Sequence, residues 1–541
     1  MTRKRVLLVE PGYRNKYPPL GLMKLAAYHR ARGEHVRFTK IGFDRDYSDL
    51  SRGPWDRVYV TTLFSFEWKR TAAAIDFAID VAGSQHERVF VGGIAASLMH
   101  GDFVNESRWS GVRFIKGLLD GPPAVALQLS ADEYEFGAED VHGRPIEELT
   151  PDYAILNDID YTYPVRDAYF GYASRGCVRK CAFCGVPDLE GDQREMPPLA
   201  ELVRGIEAAH GAKKDLVLMD NNIAASARFR EVIAEIRDLG FVPGAKLHRA
   251  EQRPVLRRVD FNQGVDARIL VKSPMYLREM ATICLSPLRI AFDHMGLRRV
   301  YERAVRMAAD NCITSLSNYM LYNFMDTPAD LYERMRLNIA LNEELGIRIW
   351  SFPMRYQPVT LKDRSHVGKH WNRYYLRSFQ IMLQATRGIV SGSPSFFMRA
   401  YGDDRHAFER LLSYPHAFIF HRNYYDYEEG VGVREEYDSL RRRFSDSQER
   451  ELLRLLAGPL DAKGRRDRFL SIADDRGIDG LVREAIRYHA VDPRDGLNVA
   501  DGGFPASAAP MPELAAPEED EIVEDAGLFD HDHTLHGNHD R

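Results

Sequence analysis

The sequence predicts an α/β protein with an N-terminal doubly wound (Rossmann-like) parallel sheet, a partial (β/α)6 barrel and a mainly helical C-terminal region. Short β-branched runs alternate with amphipathic stretches over residues 1–100, a second such series covers 166–360, and the strand pattern is lost over 361–500. Strands that alternate with helices indicate parallel sheets. We expect a linker over 101–165 and an acidic disordered tail over 501–541.

The composition places the chain among soluble globular proteins. Its 541 residues suit two or three domains, and 45% are apolar and 28% charged. No apolar run approaches the roughly 20 residues of a membrane span, and the run Val6–Val9 is too short for a secretory signal. We therefore predict a cytoplasmic protein without membrane contact. A net charge of −6 without a basic face argues against nucleic acid as a partner.

The N-terminal series begins with a strand. In chain order we predict strand Arg5–Val9, helix Leu20–Arg32, strands Val36–Ile41 and Arg57–Thr62, helix Glu67–Ala82 and strand Arg88–Val91. Gly33 and Gly83 follow the two helices, and a left-handed glycine often ends a helix. This pattern is typical of a doubly wound domain.

The second series starts at Tyr169. Its predicted strands are Tyr169–Ser174, Leu216–Met219, Val259–Asn262, Leu288–Phe292, Tyr319–Asn323 and Arg348–Phe352. Ser226 and the pair Thr327-Pro328 are start signals for two of the intervening helices. Active sites of such barrels lie at the carboxyl ends of the strands. The side chains that follow each strand are therefore the candidate site.

Cysteine use points to a metal centre. Three of the five cysteines fall in the segment Arg175-Gly176-Cys177-Val178-Arg179-Lys180-Cys181-Ala182-Phe183-Cys184-Gly185, with the spacing CxxxCxxC. Three thiolates on one short loop can bind one corner of an iron-sulfur cube and leave the fourth iron open to a substrate. The alternative, a zinc site, requires a fourth ligand such as a second CxxC or a His pair, and none stands nearby in the sequence.

This motif, with an aromatic residue before its third cysteine and after the first strand of a βα series, resembles the radical S-adenosylmethionine (SAM) superfamily. The resemblance covers residues 169–355. It implies a 4Fe-4S cluster on Cys177, Cys181 and Cys184, with the open iron chelated by the amine and carboxylate of SAM. It also implies that one electron cleaves SAM to a 5′-deoxyadenosyl radical, which abstracts hydrogen from the substrate.

SAM needs polar partners, and polar residues follow the predicted strands. The candidate cofactor-binding residues are Phe183, Asp220, Asn222, Asn262, Gln263, Asp266, Arg268, Asp293 and Asn323. Asp220 starts the turn where the family has a Gly-Gly-Glu-like sequence that receives the methionine amine, and Arg268 suits a bidentate grip on a carboxylate. Alternatives remain open: Asp220 could cap a turn, Arg268 could pair with Asp266, and Asn323 could be a loop residue.

The N-terminal region resembles the cobalamin-binding domain of one radical SAM subclass. The resemblance depends on Tyr17-Pro18-Pro19-Leu20-Gly21-Leu22 and Val91-Gly92-Gly93-Ile94, and it implies cobalamin contacts at Pro19, Gly21, Thr62, Ser65, Gly92 and Gly93. The DxHxxG pattern is missing, since the loop after the first strand reads Glu10-Pro11-Gly12-Tyr13-Arg14-Asn15. A scaffold that has lost its cofactor is the alternative.

The function expected from these features is that of a radical SAM enzyme acting on a small or medium organic substrate, with cobalamin-dependent methylation as one subtype. An electron donor such as flavodoxin or ferredoxin would be its partner. A methylthiotransferase is disfavoured because no cysteine triad precedes Cys177. No catalytic residue is assigned. The alternative from another class is a non-catalytic binding protein that carries zinc or a cluster.

Overall fold

The computed structural model describes residues 4–44, 50, 54–120, 144–384, 388–390, 392–458 and 465–491. The chain forms two compact units with a mixed α/β fold, parallel sheets and many helices. The first comprises residues 1–291, 299–319 and 357–366, and the second 292–298, 320–356 and 367–541, as far as each is described. The expected tail lies outside the described residues, and the expected domain boundaries stay predictions.

A parallel sheet opens the first unit. Its strands are β1 (Arg5–Glu10), β2 (His35–Lys40), β3 (Arg57–Thr62), β4 (Val89–Gly93) and β5 (Arg113–Phe114), in the order β2-β1-β3-β4-β5. Its helices are α1 (Leu20–Ala31), α2 (Trp68–Val81), α3 (Ile94–Leu98) and α4 (His100–Val104). The alternation of strands and helices predicted over 1–100 is confirmed. The fifth strand lies further along, within the segment expected to be a linker.

The strand order of this sheet contains a switch point. The chain leaves β1 towards β2 on one side and returns to β3 on the other, so the strand order switches direction between β1 and β3. Ligands of open parallel sheets bind outside the carboxyl ends of the strands at such a switch point. Buried apolar side chains such as Val58, Val60, Ile75 and Val91 pack on the faces of the sheet and hold those strand ends in place.

The rest of the first unit carries the second βα series. In chain order it contains β6 (Ala168–Gly171), β7 (Ser174–Arg175), α5 (Val186–Leu189), β8 (Arg194–Glu195), α6 (Leu199–His210), β9 (Asp215–Leu218), α7 (Phe229–Asp238), β10 (Lys246–Leu247), β11 (Val255–Leu256), β12 (Val259–Phe261), α8 (Ala267–Leu270), α9 (Met275–Met280), β13 (Leu288–Arg289), α10 (Arg298–Asp310) and the start of β14 (Ser315–Tyr322).

These strands pair mainly in parallel. One sheet has the order β12-β9-β6 with parallel pairs, and β13 is parallel to β14. The pairs β7/β8 and β10/β11 are antiparallel. A strand stands at each position predicted from residue 169 onward; three of the six begin at the predicted residue, and the other bounds differ by one to four residues. A single partial (β/α)6 barrel stays a prediction.

The second unit contains the end of β14, α11 (Pro328–Leu345) and β15 (Arg348–Arg355). The start of α11 is as predicted: the Thr327 side chain accepts from the Asp330 backbone, and the Asp330 side chain accepts from the Thr327 backbone. All regular elements described after β15 are helices: α12 (Arg373–Gln384), α13 (Pro394–Tyr401), α14 (Arg405–Leu412), α15 (His416–Phe420), α16 (Arg422–Tyr427), α17 (Val431–Arg442), α18 (Asp446–Leu456), α19 (Arg465–Asp474) and α20 (Gly480–His489).

Among the described residues, no helix has both the length and the apolar character that a membrane crossing requires. The cytoplasmic location stays a prediction.

Candidate functional site

The candidate site is centred on residues 176–185, here called the cysteine loop, which connects β7 to α5. Cys177, Cys181 and Cys184 are all half-buried. The backbone N–H of Arg179 donates to Cys177 Sγ at 3.3 Å, and that of Val186 donates to Cys184 Sγ at 3.5 Å. Soft sulfur donors on one short loop are the ligands that iron-sulfur clusters take in proteins. The donor set therefore fits an iron-sulfur cluster.

Across the described residues, no three His, Cys, Asp or Glu side chains converge on one point as the ligands of a single metal ion would. The thiolates of an iron-sulfur cube bind different iron atoms, so they do not need to meet at one point.

Glycine is required where the loop begins. Gly176 has a φ of +75°, and a Cβ added there would lie 2.3 Å from the Asp192 carbonyl oxygen. Gly191 has nearly the same φ, +74°, but an added Cβ would meet nothing within 4 Å. At the other end of the loop, a Cβ on Gly185 would lie 2.7 Å from Leu98 Cδ1 of α3. The loop is thus packed closely at both ends.

Asp220 fastens the backbone that leads into the cysteine loop. Its Oδ2 accepts from Ala173 N at 3.0 Å, and its Oδ1 accepts from Ser174 N at 2.5 Å and Ser174 Oγ at 2.7 Å. Burial raises the pKa of Asp220 to about 6, although these hydrogen bonds oppose the shift. The contacts match the turn-capping alternative. A role for Asp220 with the methionine amine stays a prediction.

Two arginines share one carboxylate beside the loop. Arg268 Nε lies 2.8 Å from Asp266 Oδ1, and Arg179 Nε lies 2.6 Å from Asp266 Oδ2. Burial acts to raise the pKa of Asp266, but the hydrogen bonds from both guanidinium groups lower it. Asn222 Oδ1 accepts from Asp266 N at 3.3 Å. This group carries an excess of one positive charge, and 39% of the Arg268 side chain and 34% of the Arg179 side chain are exposed.

The end of β12 meets the loop that follows β1. Asn262 Oδ1 accepts a hydrogen bond from Tyr17 Oη, and its backbone oxygen accepts from Tyr319 Oη at 2.8 Å. Gln263 is exposed, whereas Asn262 is buried. Tyr17 immediately precedes the Pro18-Pro19 turn, so the structure brings part of the candidate cobalamin region to a strand end of the second series.

The candidate cobalamin residues differ in their surroundings. Thr62 Oγ1 donates to Gly92 O and accepts from Ala96 N, both at 2.9 Å, so this hydroxyl joins two strands and caps α3. Gly93 has a φ of +104°, and an added Cβ would lie 2.4 Å from Thr62 O. In contrast, a Cβ on Gly21 would meet nothing within 4 Å, and one on Gly92 would make an ordinary contact at 3.8 Å.

Pro19 precedes α1 without a side-chain cap, and Ser65 opens the 3-10 turn Ser65–Glu67 before α2. The loop between β1 and α1 has its own polar partners. Lys40 Nζ lies 3.0 Å from Glu10 Oε2 and 2.8 Å from Asn15 Oδ1, with Lys40 and Glu10 both buried.

Asp293 and Asn323 lie in the second unit. The backbone oxygen of Asp293 accepts from Arg334 Nη1 at 3.0 Å. Asn323 has a φ of +67°; its Nδ2 donates to Tyr356 O at 3.1 Å, and its Oδ1 accepts from Gly368 N at 2.7 Å. The Asn323 side chain therefore binds backbone groups, which agrees with the alternative that Asn323 is a loop residue. A cofactor role for Asp293 and Asn323 stays a prediction.

The sequence interpretation missed Glu190 and Arg175, which contact the base of the cysteine loop. Gly176 N donates to Glu190 Oε2 at 2.8 Å, and Arg175 Nη1 lies 3.5 Å from Glu190 Oε1. Arg175 stands two positions before Cys177, outside the CxxxCxxC motif itself. No local pattern marks Glu190, which comes six positions after the third cysteine.

No protein-family model matches the chain, and no curated protein matches it. The structure is similar to that of TsrM. This is a radical S-adenosylmethionine methyltransferase from Kitasatospora setae, solved with cobalamin and a 4Fe-4S cluster bound; identity is 17% over 67% of this chain and 78% of TsrM, with a TM-score of 0.45. The structure of TsrM with its tryptophan substrate and the SAM analogue aza-SAM bound is also similar. Its identity is 15% over 66% of this chain and 76% of that chain, with a TM-score of 0.44. A likeness at such identity concerns the fold alone.

Proposed function

We propose that this chain is a radical SAM enzyme that binds a 4Fe-4S cluster through Cys177, Cys181 and Cys184. The observation that carries the proposal is the set of three thiols on one short loop, two of which accept backbone N–H donors. When bound, the cluster supplies the electron that cleaves SAM to methionine and a 5′-deoxyadenosyl radical. The substrate is a small or medium organic molecule that loses a hydrogen atom to this radical, and flavodoxin or ferredoxin would reduce the cluster beforehand.

The predicted cofactor-binding residues have separate tasks in this proposal. The Arg179, Asp266 and Arg268 group has one excess positive charge, which suits the methionine carboxylate. Asn262 and Gln263 at the end of β12 suit the ribose hydroxyls. Phe183, Asp220 and Asn222 are further proposed cofactor contacts of the first unit, and Asp293 and Asn323 are proposed cofactor contacts of the second unit.

The test of this function is SAM binding and cleavage. After anaerobic reconstitution and reduction with dithionite, the protein should release 5′-deoxyadenosine and methionine from SAM. Arg268→Ala should weaken SAM binding by about 1.5 to 3 kcal/mol, because a charge-assisted contact to the carboxylate is lost. Anaerobic calorimetry measures the affinity, and iron content should not change since Arg268 is outside the cysteine loop.

Arg249→Ala is the matched control. Arg249 makes a two-pronged ion pair with Asp167 at 2.7 and 2.9 Å, and its side chain is 35% exposed, close to the 39% of Arg268. SAM affinity should be unchanged in this control. Wild-type affinity in Arg268→Ala would assign Arg268 to the ion pair with Asp266 alone. Absence of 5′-deoxyadenosine from cluster-loaded, reduced protein would overturn the proposed reaction.

We further propose that the carboxyl edge of the five-stranded sheet binds cobalamin, which makes the reaction a methylation. The switch point between β1 and β3 is the expected ligand position, and the space beside Gly21 and Gly92 is free of close contacts. Pro19, Thr62, Ser65 and Gly93 would border the same edge. The hydrogen bonds of Thr62 and the backbone requirement at Gly93 also suit the alternative, a scaffold without cofactor.

Expression with cobalamin supplied should give near-stoichiometric corrinoid after anaerobic purification, measured by absorbance after extraction. Gly21→Leu should lower this content, since the side chain enters space that the cofactor would occupy. Gly101→Leu is the control: an added Cβ there also meets nothing within 4 Å, but Gly101 lies on α4. If the wild type binds no corrinoid under conditions that load a cobalamin-dependent enzyme, the domain is a scaffold and only the methylation subtype is withdrawn.

A further inference from the structure

Four charged side chains of alternating sign connect α1 to the cysteine loop. They are Lys24, Glu147, Arg175 and Glu190, with 6%, 7%, 7% and 8% of their side chains exposed. Lys24 Nζ lies 3.2 Å from Glu147 Oε1, and Arg175 Nη2 lies 3.5 Å from the same oxygen. Arg175 Nη1 then lies 3.5 Å from Glu190 Oε1. We call this set the ionic chain.

Burial makes the members of the ionic chain depend on one another. A buried charge is strongly unfavourable unless an opposite charge or several hydrogen bonds compensate it. Burial lowers the pKa of Lys24, and the charges of Lys24 and Arg175 hold the pKa of Glu147 below its ordinary value although burial acts to raise it. Arg175 also lies over the Tyr172 ring, 3.9 Å from its centroid. Each charge therefore keeps its neighbour in place.

Glu190 is the end of the ionic chain that touches the cysteine loop. Its Oε2 accepts from Gly176 N at 2.8 Å and from Asn221 Nδ2 at 2.9 Å. Gly176 directly precedes Cys177, and its left-handed backbone admits no side chain. One oxygen of the Glu190 carboxylate thus holds the backbone directly before Cys177, while the other oxygen faces Arg175.

We propose that Glu190 is a positioning residue that sets the orientation of Cys177, and that the ionic chain fixes the Glu190 carboxylate relative to α1. The inference rests on the proposed function, because it assigns to the loop the task of holding a cluster. It adds a role for the helix that packs on the five-stranded sheet: α1 supports the cysteine loop through Lys24, whether or not the sheet binds a cofactor.

The experiment compares cluster retention in reconstituted full-length variants. Glu190→Ala should release iron to an anaerobic chelator roughly tenfold faster than the wild type, since Gly176 N loses its acceptor and Arg175 its partner. Glu190→Gln keeps an acceptor but not the charge and should fall between the two. Lys24→Met, at the far end of the ionic chain, should change release in the same direction by a smaller factor. The electron paramagnetic resonance spectrum of the reduced cluster should shift in both Glu190 variants.

Glu235→Ala is the matched control for loss of a glutamate that holds backbone. Glu235 accepts from Leu199 N at 2.7 Å and from Arg228 Nη2 at 2.9 Å, away from the cysteine loop. The Glu235→Ala variant should have a lower thermal stability, but its iron release rate and its electron paramagnetic resonance spectrum should be those of the wild type. If Glu190→Ala does not fold, Glu190→Gln decides the matter.

Wild-type iron release and a wild-type spectrum in the Glu190 variants would overturn the positioning role while the proposed function stands. Equal acceleration in Glu235→Ala would also overturn it, because general destabilisation would then explain the loss. A wild-type protein that retains no iron after reconstitution would instead overturn the proposed function, and the positioning role with it.

Discussion

Replacing Cys177, Cys181 and Cys184 together by Ala should abolish the binding of iron and sulfide by the reconstituted protein. The thiolates are the only soft donors on the cysteine loop, and an iron-sulfur cluster has no other ligand there. The fold should persist, because all three side chains are only half-buried and Ala removes a single sulfur atom from each. Colorimetric iron and sulfide assays after anaerobic reconstitution measure the effect.

The remaining two cysteines provide the control. Burial raises the pKa of Cys284 to about 11, which disfavours its thiolate, and Cys312 is exposed. Replacing both by Ala should leave the iron content unchanged. Unchanged iron in the variant that lacks the three loop cysteines would refute the cluster assignment, and bound zinc in a colourless wild type would favour the binding-protein alternative.

Gly176→Ala should remove a large part of the bound iron, whereas Gly191→Ala should not. Both substitutions place a Cβ in the left-handed region, at φ values of +75° and +74°, which costs about 1 to 2 kcal/mol. Only at Gly176 does the new Cβ also lie 2.3 Å from a backbone oxygen, so the loop has to move. Because this movement displaces Cys177, Gly176→Ala should lose more iron than Gly191→Ala, although the backbone strain is the same in both.

The pair is informative because the two positions share the same backbone strain, whereas only at Gly176 does an added Cβ meet backbone atoms, the nearest being Asp192 O. Thermal unfolding measures the shared loss of stability, and iron content per folded protein measures the effect on the loop. Equal iron retention in Gly176→Ala and Gly191→Ala would show that the loop tolerates displacement. Cys177 would then need no defined position to bind iron.

The fold was predictable where short-range patterns determine it. The strands from Arg5 to Val91 and from Tyr169 onward follow from buried β-branched runs, and Thr327-Pro328 predicted the start of α11 because capping involves residues three positions apart. The ion pair of Asp266 with Arg268 was equally local, since the two residues are two positions apart. The sequence interpretation accordingly left it open as an alternative.

The supporting contacts of the site were not predictable from such patterns. Asp220 binds Ser174 across 46 positions, and Lys24 binds Glu147 across 123, so only the packed structure brings them together. The turn at Asp220 was interpreted through a family motif, but the structure shows its carboxylate on the backbone before the cysteine loop. Side chains that hold backbone and side chains that hold a ligand look alike in a sequence, because both are polar residues after a strand.

The ionic chain has a consequence for how such a protein changes during evolution. Lys24 belongs to the helix next to the candidate cobalamin turn, yet its partner Glu147 also holds Arg175 at the cysteine loop. Selection for an intact loop would therefore preserve α1 in a lineage that had already lost the corrinoid. The persistence of the five-stranded sheet and α1 is therefore poor evidence that a cofactor is bound. Substitution at Gly21, where an added Cβ would meet nothing within 4 Å, is a better record of that loss.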